Sequence, residues 1–136
     1  MLGLNIEFII KILLATALGA LVGFEREKRQ MPAGFRTNML VCIGSCLFTI
    51  VSVYSFSTNP TQIAAGIVTG IGFLGAGSII SNGRRLRGIT TAATLWIVAA
   101  IGMAVGVGEY ALATIVAVLV FVILLLKEAE KKIHKS

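Results

Sequence analysis

Apolar residues run in five stretches, 6–24, 37–54, 62–80, 89–105 and 110–126, separated by short polar breaks. A helix needs about 20 mainly apolar residues to cross roughly 30 Å of hydrocarbon, so each stretch predicts one transmembrane helix. Pro32 and Gly34 interrupt the first connection, Asn59-Pro60 turns the second, and Ser81-Asn82-Gly83 opens the third. The last connection, 106–109, is so short that the fourth and fifth helices must be antiparallel neighbours. The expected fold is all-α, a polytopic membrane protein built as a bundle of five transmembrane helices over residues 1–126. Residues 127–136 form a charged cytoplasmic tail, either a helical extension or frayed.

Positive charge alternates with these stretches. Arg26, Lys28, Arg29 and Arg36 follow the first, Arg84, Arg85 and Arg87 the third, and Lys127, Lys131, Lys132 and Lys135 the fifth. The other two connections carry no Lys or Arg. Short loops rich in Lys and Arg stay on the cytoplasmic side, which places the N-terminus outside and the C-terminus inside, in a multi-pass membrane protein.

Composition agrees. At 57% hydrophobic and a mean hydropathy of +0.94, the chain is too apolar for an ordinary soluble domain. A net charge of +6 would suggest nucleic acid in a soluble protein. Here the basic residues sit at helix ends, so they are topology determinants and contacts to anionic lipid headgroups, with no nucleic-acid partner expected. Ala15-Thr16-Ala17 resembles a signal-peptide cleavage site, but the preceding segment lacks a basic start and holds Glu7 and Lys11, so a retained first helix is expected. Cys42 and Cys46 share a helix face without ligand partners, a packing pattern.

Small residues suggest how helices meet. Ala15, Gly19 and Gly23 recur every four positions, and the third stretch holds Gly66, Gly70, Gly72, Gly75 and Gly77. In water each interior glycine costs about 1 kcal/mol relative to alanine, whereas close packing in a membrane compensates. Five short helices enclose little volume, so these strips predict a homo-oligomer, most simply a two-fold dimer. Gly70-Ile71-Gly72-Phe73-Leu74-Gly75 spells the dinucleotide fingerprint, but it lacks the preceding strand, the helix start and the acid about 20 residues on that the motif requires. It is read as helix packing, or as a breakable helix lining a path. Lys11 follows Glu7 by four residues, so the two can pair. The fifth helix begins with small residues and ends bulky, which predicts an early half on protein and a later half on lipid.

Three polar segments lie at the basic face. Glu25-Arg26 sits where the first helix leaves the membrane, and a carboxylate at that depth needs a partner such as Arg36 or the second inner loop. Glu27 reads as ordinary interfacial charge. Arg36-Thr37-Asn38 opens the second helix, with Thr37 or Asn38 as a cap or, with Arg36, an anion site. Thr90 and Thr91 open the fourth in the same way. These residues form a candidate polar vestibule. No catalytic set emerges: the single histidine, His134, lies in the tail, no serine has a nearby base, and the chain has no aspartate. No enzyme activity, cofactor or metal site is expected.

Four segments in order carry a resemblance. Gly23-Phe24-Glu25-Arg26-Glu27, Ala33-Gly34-Phe35-Arg36-Thr37-Asn38, Gly70-Ile71-Gly72-Phe73-Leu74-Gly75-Ala76-Gly77 and Gly88-Ile89-Thr90-Thr91-Ala92-Ala93-Thr94-Leu95-Trp96 resemble the signatures of the MgtC/SapB family. The resemblance implies a five-helix membrane domain, in MgtC-type members often followed by a cytoplasmic domain, so the chain looks like a short member or a truncated one. It also implies a role in magnesium homeostasis or adaptation to low magnesium, with protein or lipid partners such as the ATP synthase. Glu25, Arg26, Arg36, Thr37, Asn38, Gly72, Gly75, Gly77, Thr90, Thr91 and Trp96 are the residues it nominates. The alternative is a transporter or channel for a small ion or solute.

Overall fold

The computed structural model describes residues 5–56, 58–82 and 85–133, with backbone alone for 81–82, 85–86 and 127–133. Five helices follow one another: α1 (Ile6–Lys28), α2 (Phe35–Ser55), α3 (Pro60–Gly77), α4 (Ile89–Val107) and α5 (Tyr110–Ile133). Between α3 and α4 two short strands, β1 (Ile80–Asn82) and β2 (Arg85–Arg87), pair antiparallel with Ile80 opposite Arg87. The connection read as a plain loop is therefore a hairpin.

Local chemistry sets the ends. Asn5 accepts the Glu7 N–H at 3.1 Å and so caps α1. Pro60 occupies the first turn of α3, where its missing N–H costs nothing. Gly108, at φ +98°, ends α4: its N–H reaches Val105 O at 3.0 Å and the Glu109 N–H reaches Ala104 O at 2.9 Å. Gly106, assigned to a turn by sequence, thus lies inside α4.

α2 is the centre of the bundle, clasped by α1 and α4. Its Cys42, Ser45, Cys46 and Thr49 are small, and glycines lie against them on both sides. A Cβ at Gly19 would lie 2.8 Å from Asn38 O and 2.9 Å from Cys42 Cβ. One at Gly106 would lie 2.6 Å from Thr49 Cβ, and one at Gly102 would overlap Cys42 O. The core is Ala15, Leu18, Val22, Cys42, Cys46, Ile50, Val98, Ile101, Val105 and the α5 residues Ala113, Ala117 and Leu124. Both cysteines are free and buried, as packing residues should be. α3 joins through Ile71 against Leu95, Ala99 and Ala33.

The outer surface is apolar. Ile10, Leu13, Phe48, Phe73, Trp96, Ile115 and Ile123 are all exposed on it. Such a surface is costly in water and suits lipid. α1, α2 and α4 are long and apolar enough to cross a membrane; the apolar part of α5, Tyr110–Leu126, is shorter. The molecule is an all-α multi-pass membrane bundle. α5 corrects one expectation: its buried residues are Ala113, Ala117 and Leu124, a stripe along the helix rather than its first half, because the 3.6-residue repeat keeps these on one face. At the far end, Lys11 is buried, pairs with Glu7 at 2.8 Å as its spacing predicted, and lies 5.4 Å from the centre of the Tyr54 ring.

Candidate functional site

The site grows from the way α1 hands over to α2. Gln30 adopts φ +52°, its N–H bonds Glu27 O at 2.9 Å, and the Met31 N–H bonds Arg26 O at 3.0 Å. This closes α1 in a Schellman turn with glutamine at the left-handed position usually held by glycine. Glu27 then reaches across the linker, its Oε2 accepting the Phe35 N–H at 2.9 Å. A carboxylate there satisfies a first-turn donor and complements the helix dipole. The cap of α2 is therefore Glu27, read from sequence as ordinary surface charge. Gly34 leaves room for this cap, since a Cβ there would overlap Glu27 Oε2 and push the carboxylate away.

Asn38, fully buried, turns back to fix the linker. Its Nδ2 donates to Ala33 O at 3.0 Å and Gly34 O at 2.8 Å, while its Oδ1 has no partner. Neither Thr37 nor Asn38 caps α2, as the sequence had suggested: Thr37 points out, and Asn38 donates to carbonyls behind it. Gly23 lets α1 pass within 2.9 Å of Phe35 Cα, measured from a Cβ built at 23.

Glu25 and Arg26, at the end of α1, are buried, 3% and 2% exposed. Arg26 Nη1 lies 3.4 Å from Glu25 Oε2, and Arg29 pairs with Glu25 Oε1. The expected reach from Glu25 to Arg36 is not what forms; the nearer arginines of its own helix are one and four residues on, and Arg36 is exposed. One carboxylate between two guanidiniums leaves the group net cationic, and Arg26 Nε has no partner.

Beside this end of α1 a pocket of about 560 Å³ opens between the α1–α2 linker, the end of α3 and the start of α4. Gln30, Met31 and Pro32 line it from the linker, Ser78 from α3, and Arg87, Thr90 and Thr91 from the entry to α4. Gly88 makes that entry possible. It sits at φ +93°, and a Cβ there would overlap Ser78 O. No side chain among the described residues caps α4; its first helical bond is Ala92 N–H to Gly88 O at 2.8 Å. Thr91 has no exposed surface, and its Oγ1 has no partner among the described residues. Thr94 differs, with its Oγ1 donating to Thr90 O at 2.7 Å.

Of the nominated residues, Thr90 and Thr91 line this pocket, while Glu25, Arg26 and Asn38 are buried in the adjoining ends of α1 and α2. Arg36 and Thr37 do not line it. Trp96, half exposed, lines a separate cavity of about 230 Å³ between α3 and α4. The glycines divide: Gly19 and Gly23 receive α2, Gly75 faces Ala92 with a Cβ distance of 3.5 Å, and Gly66, Gly70, Gly72 and Gly77 face open space. Gly66 and Gly70 also line an apolar groove of about 610 Å³ between α2 and α3. Sequence reading missed Gln30, Ser78 and Arg87 as pocket residues, and missed Gly102-x-x-x-Gly106 as a packing strip. The glycine pair was visible by its spacing; the pocket residues carried no periodic signal.

The MgtC family model matches residues 12–133. Protein MgtC of Salmonella typhimurium (strain LT2) is 46% identical over 134 residues, 97% of this chain and 58% of that protein. The "Putative magnesium transporter YhiD" of Escherichia coli (strain K12) is 45% identical over 115 residues, 78% of this chain and 54% of that protein. The uncharacterized protein slr0014 of Synechocystis is 45% identical over 117 residues, 85% of this chain and 50% of that protein. The chain thus spans about half the length of the curated relatives it matches. No solved structure matches.

Proposed function

The chain belongs to the MgtC family, and we propose that it serves magnesium homeostasis, acting through the pocket between the α1–α2 linker, α3 and α4. The observation that carries the reading is the meeting of three family-type segments at one end of the bundle: Glu25 and Arg26 on α1, Asn38 on α2, and Thr90 and Thr91 on α4. The alternation of basic loops supports placing this end at the cytoplasm, with the N-terminus outside; the resemblance to the MgtC/SapB family of cell inner-membrane proteins supports the inner membrane as the site.

The chemistry of this end favours a binding role over a magnesium conduit. A divalent cation wants several carboxylate or carbonyl oxygens. None of the described pocket-lining residues is acidic, and Glu25 is already neutralised by Arg26 and Arg29. The chain therefore acts through what it binds, with no catalytic step, and its partners are anionic lipid, a second copy of itself and another membrane protein such as the ATP synthase. The test is complementation. In a bacterium lacking its own homologue and grown at limiting magnesium, wild-type chain restores growth while Thr91→Val and Arg87→Gln, present at normal membrane levels, do not. Growth equal to wild type from both variants would sink the reading.

One observation favours a second reading, transport: the name of the Escherichia coli relative. In proteoliposomes, that reading requires magnesium or proton flux, and loss of it in Glu25→Gln.

A further inference from the structure

We propose that the pocket takes a phosphate group, bound by the first turn of α4, the Thr91 hydroxyl and Arg87; this rests on the pocket being the working site, as argued above. The first-turn N–H groups of an α-helix have no partner inside the helix, and the helix dipole adds positive potential at that end. α4 is 19 residues long and begins at this pocket without a side-chain cap. The other helix that starts at this end, α2, has its first turn occupied by the Glu27 carboxylate.

A helix start alone does not make a site; Thr91 supplies the second observation. Its side chain has no exposed surface, it lines the pocket, and its Oγ1 has no hydrogen-bond partner among the described residues. Leaving a buried hydroxyl unpaired is costly, and an oxyanion oxygen is the acceptor that would use it beside the helix N–H groups. Among the described residues, Arg87 is the one charged side chain lining the pocket, and it is cationic. Gly88 keeps the approach clear: with no Cβ, its backbone turns in at φ +93°. The volume exceeds that of one phosphate and leaves room for what the phosphate is attached to. Met31, Pro32, Ile80 and Ile89 give the rest of the wall an apolar character suited to the glycerol region of a lipid. Free phosphate and a phospholipid headgroup share this chemistry.

The full chain, purified in a zwitterionic detergent without phosphate, is tested with two probes. Inorganic phosphate binding is read by calorimetry. Retention of phosphatidylglycerol is read by native mass spectrometry against an equal amount of uncharged diacylglycerol. Arg87→Gln and Thr91→Val should each weaken the bound probe by roughly fivefold or more, the loss of one charge-assisted hydrogen bond. Thr91→Ser should restore it, and Lys28→Gln, on the exposed end of α1, should bind as wild type. Binding of inorganic phosphate identifies a soluble ligand; retention of phosphatidylglycerol alone identifies a headgroup. Wild-type protein that binds neither, or Arg87→Gln that binds as wild type, overturns the proposal. Because Arg87 is exposed, that variant stays informative if Thr91→Val fails to fold. Failure here with growth lost in the complementation assay refutes phosphate and leaves the pocket's role intact; binding lost with growth unchanged refutes the role.

Discussion

Gly102→Ala tests whether α2 is truly clasped between two glycine strips. A Cβ at 102 would overlap the Cys42 carbonyl oxygen and lie 2.9 Å from Ser45 Cβ, against 3.4–4 Å for ordinary contact. The main obstacle is backbone, so no side chain can swing aside, and α4 must move off α2 by roughly 1 Å. A gap of that size forfeits about a quarter to a half of the dispersion energy along the seam. Overpacking of this kind costs about 1–3 kcal/mol, and the rigid obstacle argues for the upper end. Alanine returns about 1 kcal/mol of helix propensity, which leaves a net loss of about 2 kcal/mol. Gly72→Ala is the control: a Cβ there meets nothing within 4 Å, so only the propensity gain, at most about 1 kcal/mol, remains. Unfolding by sodium dodecyl sulfate in mixed micelles, followed by far-ultraviolet circular dichroism, should separate the two by about 3 kcal/mol. If Gly102→Ala proves as stable as Gly72→Ala, the clasped arrangement of α1, α2 and α4 is wrong.

Gly88→Ala combines a left-handed φ with overlap of Ser78 O, so it should cost more than about 2 kcal/mol, seen as a lowered melting temperature in detergent, and should also displace the start of α4. Glu27→Ala should cost about 1 kcal/mol by uncapping α2, and Gly34→Ala should cost a similar amount because its Cβ evicts the same carboxylate; the double variant should cost no more than either alone, and additive losses would disprove the shared cause. Lys11→Met should stay within about 1 kcal/mol of wild type, since an apolar chain of similar length replaces a buried charge, whereas Glu7→Ala, which strips that charge of its carboxylate, should cost more by the same unfolding measurement.

The coarse fold was legible because a bilayer imposes it: span length, breaker residues and the alternation of basic loops each point to the same five helices. What the sequence could not convey was which partner each polar group chooses. Glu25 had several arginines within plausible reach, and the two that bind it are those one and four residues along its own helix, where the backbone has already set the separation. Glu27 looked like surface charge because its task depends on where the chain turns after Gln30, and a left-handed glutamine is not a signal that composition or spacing carries. The pocket was half legible. Thr90 and Thr91 stood out as hydroxyls at a helix start, whereas Gln30, Ser78 and Arg87 join them only because the linker and the hairpin fold over the same helix end.

The glycines show why spacing alone cannot assign an interface. Gly19 and Gly23, Gly102 and Gly106, and Gly66 and Gly70 share the same four-residue step, yet the first two pairs are filled from within the chain and the third faces open space. The difference lies in the residues around them. α2 presents Cys42, Ser45, Cys46 and Thr49, all short, so helices on either side can approach only if they too are small, and each contributes two glycines. α3 instead turns Ile67 and Ile71 toward Leu95 and Ala99 of α4, and 100° of rotation per residue then carries 66 and 70 off that face. In a bilayer, lipid solvates apolar surface as well as protein does, so helices associate where shapes fit closely rather than where surface is most hydrophobic. The inward face of α3 was decided by its bulky residues, which leaves Gly66, Gly70, Gly72 and Gly77, like Gly44 on α2, open to close approach by a further backbone.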